Sequence, residues 1–229
     1  MGSNKAAQND MRSLSSTGTE LFGKLRPEKQ EVVFQAAVDE FAVNGYRNAS
    51  MNSVVRSAGI SKGSLFQYFT TKRNLFHGVV EIAAERVKLY LKQVREETAE
   101  MGFFERLERL LRAGFGFIDR HPKFARIYFH LLQSGEAPFG SERVGELRHE
   151  GHQFLCALIR SAIEQGELKP NMDVERVAFL INALLETLLR SYYTEFLASG
   201  LGLYRGDDEA LDCWVNATLD LVRNGVQAP

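Results

Sequence analysis

The chain is poor in cysteine. Cys156 and Cys213 are its only two among 229 residues, too few for a disulfide framework or, alone, a structural zinc site. No apolar run approaches the ~20 residues needed to span a bilayer, and the first residues do not read as an apolar leader. A reducing cytoplasm is therefore the expected compartment, with no membrane partner. Only five prolines occur and sustained apolar–polar alternation is lacking, which argues against a sheet. GxSxG, GxxxxGKS/T and recognisable Cys–His arrangements are all missing, so no enzyme and no cofactor are expected. His149-Glu150-Gly151-His152 spaces its histidines three apart, not the four that HExxH needs, and no metal is expected either.

Acidic residues are also missing from one long stretch. Between Phe41 and Val80 there are none, while Arg47, Arg56, Lys62, Lys72 and Arg73 are basic. Residues 1–95 carry 14 Lys and Arg against 8 Asp and Glu, whereas residues 96–229 carry 14 against 21. The near-neutral whole thus hides a basic front and an acidic remainder. A surface free of carboxylates is what binding to a polyanion requires.

Apolar residues recur mostly at helical spacing, and the expected fold class is all-α. Residues 1–25, rich in Ser, Asn, Gly and Thr, read as a flexible arm. A first helix is expected from Pro27 to about Val43, burying Val33, Ala36, Ala37 and Phe41 and ending at Asn44-Gly45. Two short helices follow, over 51–57 behind an N-cap Ser50 and over 62–69 behind an N-cap Ser61. Gly59 turns the chain between them, and a long helix is expected over about 72–97. Further helices are expected over roughly 103–119, 122–133, 141–166, 173–199 and 208–225, with Asp173 and Asp207 or Asp208 as caps.

Residues 45–76 therefore form a helix-turn-helix pattern, in which the second helix enters a DNA major groove. Gly63 and Ser64 are small enough for close approach, and Val54, Val55, Ala58, Ile60, Leu65 and Phe69 are spaced to pack the pair on the first helix. The stretch Phe41…Asn44-Gly45-Tyr46, Ala49-Ser50-Met51, Ala58 through Phe69, Lys72 and Leu75-Phe76 closely resembles the DNA-binding domain of the TetR family of bacterial transcriptional regulators. The resemblance covers about residues 27–80. It implies an N-terminal three-helix DNA-binding domain (26–76), a connecting helix (about 72–97) and a helical effector-binding and dimerisation domain (77–229).

The family pattern implies that Ser50, Tyr68 and Lys72 meet phosphates, and that Lys62, Ser64 and Gln67 lie near bases. The chemistry agrees, since Gln67 can pair with adenine, Lys62 can reach guanine and Lys72 opens a helix whose N-terminus favours phosphate. Arg56 and Arg73 are added on charge. Phe66 stands where the family commonly has Tyr, and a phenyl ring cannot hydrogen-bond a phosphate.

The expected helix at 173–199 has too many apolar positions for a single stripe, so it must be covered on more than one side. The resemblance implies a homodimer built on this helix and the last one, with Leu184, Leu188, Tyr192, Leu211, Trp214 and Thr218 as candidates. Such a dimer would meet a palindromic double-stranded operator. Aromatic residues crowd 103–154 and suit a small apolar or aromatic effector. Phe104, Phe115, Tyr128, Phe129 and Phe154 are the apolar candidates, with His130, His152, Asn182 and Glu186 as polar ones; Glu186 is also spaced to pair with Arg190. The expected function is a ligand-responsive, sequence-specific repressor. The competing readings are a helical small-molecule-binding protein or enzyme that has lost DNA binding, and a protein-interaction adaptor.

Overall fold

The computed structural model describes residues 18–134, 140–198 and 200–226. The described residues are helical as expected: α1 (Glu20–Gly23), α2 (Pro27–Asn48), α3 (Met51–Ala58), α4 (Lys62–Tyr68), α5 (Lys72–Glu97), α6 (Phe103–Arg120), α7 (Pro122–Ser134), α8 (Gly140–Glu164), α9 (Val174–Tyr193), a short 3-10 turn (Glu195–Ala198) and α10 (Asp208–Val226). They fall into two compact units, one from Met1–Lys88 and His121–Gly145, the other from Leu89–Arg120 and Glu146–Pro229. The division does not coincide with the boundary expected at residue 76. The first unit runs further along α5 and includes α7.

In the first unit α2 is the central strut. Pro27 occupies its first turn, where a missing N–H costs nothing, and Val33, Ala36, Ala37 and Phe41 are buried along one face. The expected end at Asn44-Gly45 is a break within the element. Gly45 takes φ 63° and ψ −174°, a conformation close to glycine-only, and the chain then makes one further turn to Asn48. Gly59 adopts left-handed φ 62° and ψ 31°, ending α3 as its sequence position suggests. Val54, Ala58, Leu65 and Phe69 join α3 and α4 to a core with Phe34, Phe41 and Phe76, and Val55 and Ile60 pack against it. Phe124, Ile127 and Leu131 of α7 enter the same core, Phe124 stacking on Phe34 with ring centroids 6.3 Å apart.

The expected arm needs correction at its end. Residues 1–17 lie outside the described residues, but 20–23 form α1 and Phe22 is fully buried. Phe22 packs against Phe69 at 4.8 Å, and Thr19 closes onto the end of α4 by donating its amide to the Tyr68 carbonyl at 2.9 Å. Gln30 of α2 is buried because its side-chain amide donates to the carbonyls of Phe22, Gly23 and Leu25. A polar-rich composition had masked one anchoring phenylalanine.

In the second unit α6 packs against both α9 and α10. Phe103, Leu107, Leu111, Phe115 and Ile118 recur at helical spacing along its buried face. Asp173 and Asp207 cap α9 and α10 through the amides of Arg176 and Ala210, each at 3.0 Å. Helix α9 ends at Tyr193, not 199, and its Thr194 cap is followed by the 3-10 turn. No described helix is long and apolar enough to cross a membrane.

Candidate functional site

The short helix α4 owes its start to Ser61, whose Oγ accepts the Ser64 amide at 3.0 Å. Leu65 is its inward anchor, so the remaining faces point away from the core. Lys62 and Gln67 are exposed, and the Lys62 ammonium lies 5.9 Å from the centre of the Phe66 ring, itself 39% exposed. Ser64 is half-buried and its hydroxyl is 2.8 Å from that of Ser61. Tyr68 is half-buried with its ring 5.9 Å from Phe22, so it serves the core as well as the surface.

Around α4 the other candidates differ in their commitments. Arg56 is exposed and donates to Ser53 Oγ at 3.2 Å, and Arg73 is exposed at the start of α5. Lys72 is half-buried. Its ammonium donates to the carbonyls of Arg47 and Ala49 at 3.0 and 3.1 Å and lies 4.9 Å over the Tyr46 ring. Two of the three ammonium N–H groups thus hold the end of α2, and one is left for another acceptor. The expected Ser50 cap is not made by its side chain; instead Ser50 donates its amide to Glu40 Oε1 at 2.7 Å. Folding therefore places one carboxylate beside Ser50, although the sequence between 41 and 80 has none.

The effector candidates are divided between the units. Tyr128, Phe129 and His130 belong to the first, with Phe129 buried in it. Phe104, Phe115, His152, Phe154, Asn182 and Glu186 belong to the second. There, Phe115 packs on Tyr192 at 5.0 Å, and Arg223 covers Phe104 at 4.8 Å. Phe154 is flanked by the guanidinium groups of Arg95 and Arg106, at 4.0 and 5.8 Å. The Nε atoms of both arginines are buried without a hydrogen-bond partner among the described residues. Burial lowers the Arg95 pKa and nearby Arg106 adds to that effect, while Glu150 opposes it. These two arginines carried no motif in the sequence; only their approach to Phe154 reveals them.

Glu186 does not take the expected pair with Arg190. It meets Arg148 of α8 at 2.9 Å, because this side of α9 faces α8. His152 Nε2 lies 2.8 Å from Glu175 Oε2, beside buried Cys156. Burial, then the hydrogen bond to Glu175, raises the Cys156 pKa, while the contact with His152 lowers that of Glu175.

The dimerisation candidates also separate. Leu188, Tyr192 and Thr218 are buried within the second unit; Tyr192 donates to Asp119 at 2.7 Å and Thr218 to the Trp214 carbonyl at 2.7 Å. Leu184, Leu211 and Trp214 are half-buried. The apolar side chains facing out of α9 and α10 are Phe179, Leu180 and Leu221, at 59, 64 and 65% exposure. The sequence implies cover for α9 on more than one side; one face is buried within the unit, and Phe179 and Leu180 on the other are exposed.

Two known family patterns match this chain. That described as "Bacterial regulatory proteins, tetR family" matches residues 33–79, and "Tetracyclin repressor-like, C-terminal domain" matches residues 137–193. The chain is 26% identical to a TetR family transcriptional regulator from Chloroflexus aurantiacus J-10-FL, covering 93% of this chain and 99% of that one, with a TM-score of 0.72. It is 25% identical over 166 residues to the uncharacterised HTH-type transcriptional regulator YhgD of Bacillus subtilis, or 71% of this chain and 83% of the relative. The fold is also that of the regulator FadR from Bacillus subtilis, solved with stearoyl-CoA, at 18% identity and TM-score 0.65 over 84% of this chain and 96% of that one. The fold and α4 define a helix-turn-helix DNA-binding regulator. The chain belongs to the TetR family of bacterial transcriptional regulators.

Proposed function

We propose that this regulator binds a palindromic operator as a homodimer and releases it on binding an effector, acting as a repressor in a reducing cytoplasm. The outward placement of Lys62 and Gln67 on an α4 anchored by Leu65 carries the proposal. Lys62, Ser64 and Gln67 are assigned to base edges, and Ser50, Arg56, Tyr68, Lys72 and Arg73 to the phosphate walls. The exposed Phe179, Leu180 and Leu221 supply the apolar face through which two chains pair. Two-fold symmetry then sets half-sites about one DNA turn apart.

The effector is assigned to the aromatic side of the second unit. An apolar molecule with an acidic head fits Phe154 between Arg95 and Arg106, whose buried Nε atoms have no hydrogen-bond partner among the described residues. The stearoyl-CoA bound by FadR has that chemistry. Such a ligand acts only through its different affinity for the binding and non-binding conformers. Helix α5, which has residues in both units, is the assigned path.

Selection of bound DNA from a random pool tests the first part. A recovered palindrome whose binding falls steeply with salt is expected; recovery of no preferred sequence would refute it. Operator affinity at saturating long-chain acyl-CoA tests the second, and an unchanged affinity would exclude this effector class.

A further inference from the structure

His152 and Cys156 are four residues apart on α8 and so share one face, turned toward Glu175 in the first turn of α9. Three donor atoms of different chemistry converge there. His152 Nε2 is 2.8 Å from Glu175 Oε2, Cys156 Sγ is 3.3 Å from the same oxygen, and Sγ and Nε2 are 3.5 Å apart. Around a tetrahedral zinc ion, bond lengths of about 2.0–2.3 Å put nitrogen and oxygen about 3.3 Å apart and each of them about 3.5–3.6 Å from sulfur. The sulfur–imidazole edge therefore already has the required size, and the sulfur–carboxylate edge is within about 0.3 Å of it. The third opens to it by about half an ångström, within the reach of a Glu rotamer change.

The surroundings favour the same occupant. Arg160 Nη2 donates to Glu175 Oε1 at 2.6 Å, which holds the carboxylate with Oε2 toward the sulfur and imidazole. Cys156 is buried while Glu175 is 55% exposed, so an ion can enter from solvent past the carboxylate. Thiolate with imidazole selects borderline or soft cations; calcium and magnesium prefer oxygen ligands.

We infer that His152, Cys156 and Glu175 form a three-ligand site for a thiophilic divalent cation of the zinc class, with a fourth position open to water or an added ligand. On binding, the Cys156 thiol gives its proton to solvent and the thiolate sulfur bonds the ion, without any change of oxidation state. Neutral His152 coordinates through Nε2 and Glu175 through Oε2. The ion ties α8 to the start of α9, an effect separate from DNA reading by α4.

The test uses the full chain, reduced and stripped of metal, titrated with cobalt(II) as a spectroscopic substitute and then with zinc. One equivalent of cobalt per chain is expected to give thiolate-to-cobalt charge-transfer absorption with tetrahedral ligand-field bands, which zinc abolishes. Cys156→Ser loses the charge-transfer band. His152→Ala and Glu175→Gln weaken zinc at least about tenfold in competition with a chromophoric chelator. Cys213→Ser, altering the other, exposed thiol, leaves all signals intact. Glu175→Gln lies at the surface and keeps the test decisive if replacement of buried Cys156 impairs folding. Absence of the band in the unmodified chain, its loss only in Cys213→Ser, or unaltered zinc affinity in both His152→Ala and Glu175→Gln would overturn the site.

Discussion

Thr19 donates its hydroxyl to the Gln67 carbonyl at 2.7 Å, across 48 residues of sequence. The bond closes one of the unpaired carbonyls at the end of α4, and Phe22 packs beneath it against Phe69. The helix expected to read DNA is therefore clasped from the chain's own N-terminal side. Phe22→Ala is expected to lower stability by about 3–5 kcal/mol, the range for emptying a buried phenylalanine site. Chemical denaturation checks it, and a loss below about 1 kcal/mol would mean that the clasp is peripheral.

Lys72 and Gln67 should fail differently. Lys72→Ala removes both the ties to Arg47 and Ala49 and a cation at the start of α5. Binding should weaken on every DNA sequence, with the salt slope reduced by about one. Gln67→Ala should keep the slope and relax the preference at one base pair by about 1–3 kcal/mol. Anisotropy titrations over a salt series separate the two; an unaltered slope for Lys72→Ala would confine Lys72 to holding α2.

Gly45 combines φ 63° with ψ −174°. A Cβ there finds room, since His130 Nδ1 is its nearest neighbour at 3.8 Å, so backbone strain alone decides the outcome. Gly45→Ala should cost about 1–3 kcal/mol in thermal or denaturant unfolding. A neutral result would show that the α2 break relaxes to an ordinary conformation.

The apolar face of α9 and α10 makes a prediction about assembly. Leu180→Glu or Leu221→Glu should leave the fold intact, as both side chains point outward, and shift the sedimentation coefficient to that of a monomer. Losing one interface anchor costs about 2 kcal/mol or more, about thirtyfold in dissociation constant. Dimers persisting unchanged in both variants would move the interface elsewhere.

Tyr192 supplies the pH test. Its burial, then its hydrogen bond to the Asp119 carboxylate, push the phenol pKa up to about 12 from an ordinary value of about 10. The folded-state value is raised, so the stabilisation is complete below pH about 10 and is lost as pH rises towards about 12. Ultraviolet titration of the folded protein should show a late-ionising step that Tyr192→Phe removes. If the unmodified protein shows no such late step, the contact with Asp119 is not made in solution.

Much of this protein follows from local order along the chain. Gly59 between two short apolar-spaced segments, Ser61 three residues before Ser64, Asp173 ahead of a long apolar helix: each acts within a few residues, so spacing alone locates α3, α4 and the start of α9. The basic, carboxylate-free stretch is equally visible, because charge is a property of the residues themselves. Partners distant in sequence are not. Phe22 joins Phe69, Glu40 turns to Ser50, Lys72 reaches back to Arg47, Glu186 chooses Arg148 over Arg190, and Cys156 meets Glu175 through hydrogen bonds or packing that no periodicity encodes. An amphipathic pattern marks which residues want cover; only packing in three dimensions decides which are buried within the chain, as Leu188 and Tyr192 are, and which are left exposed, as Leu180 and Leu221 are.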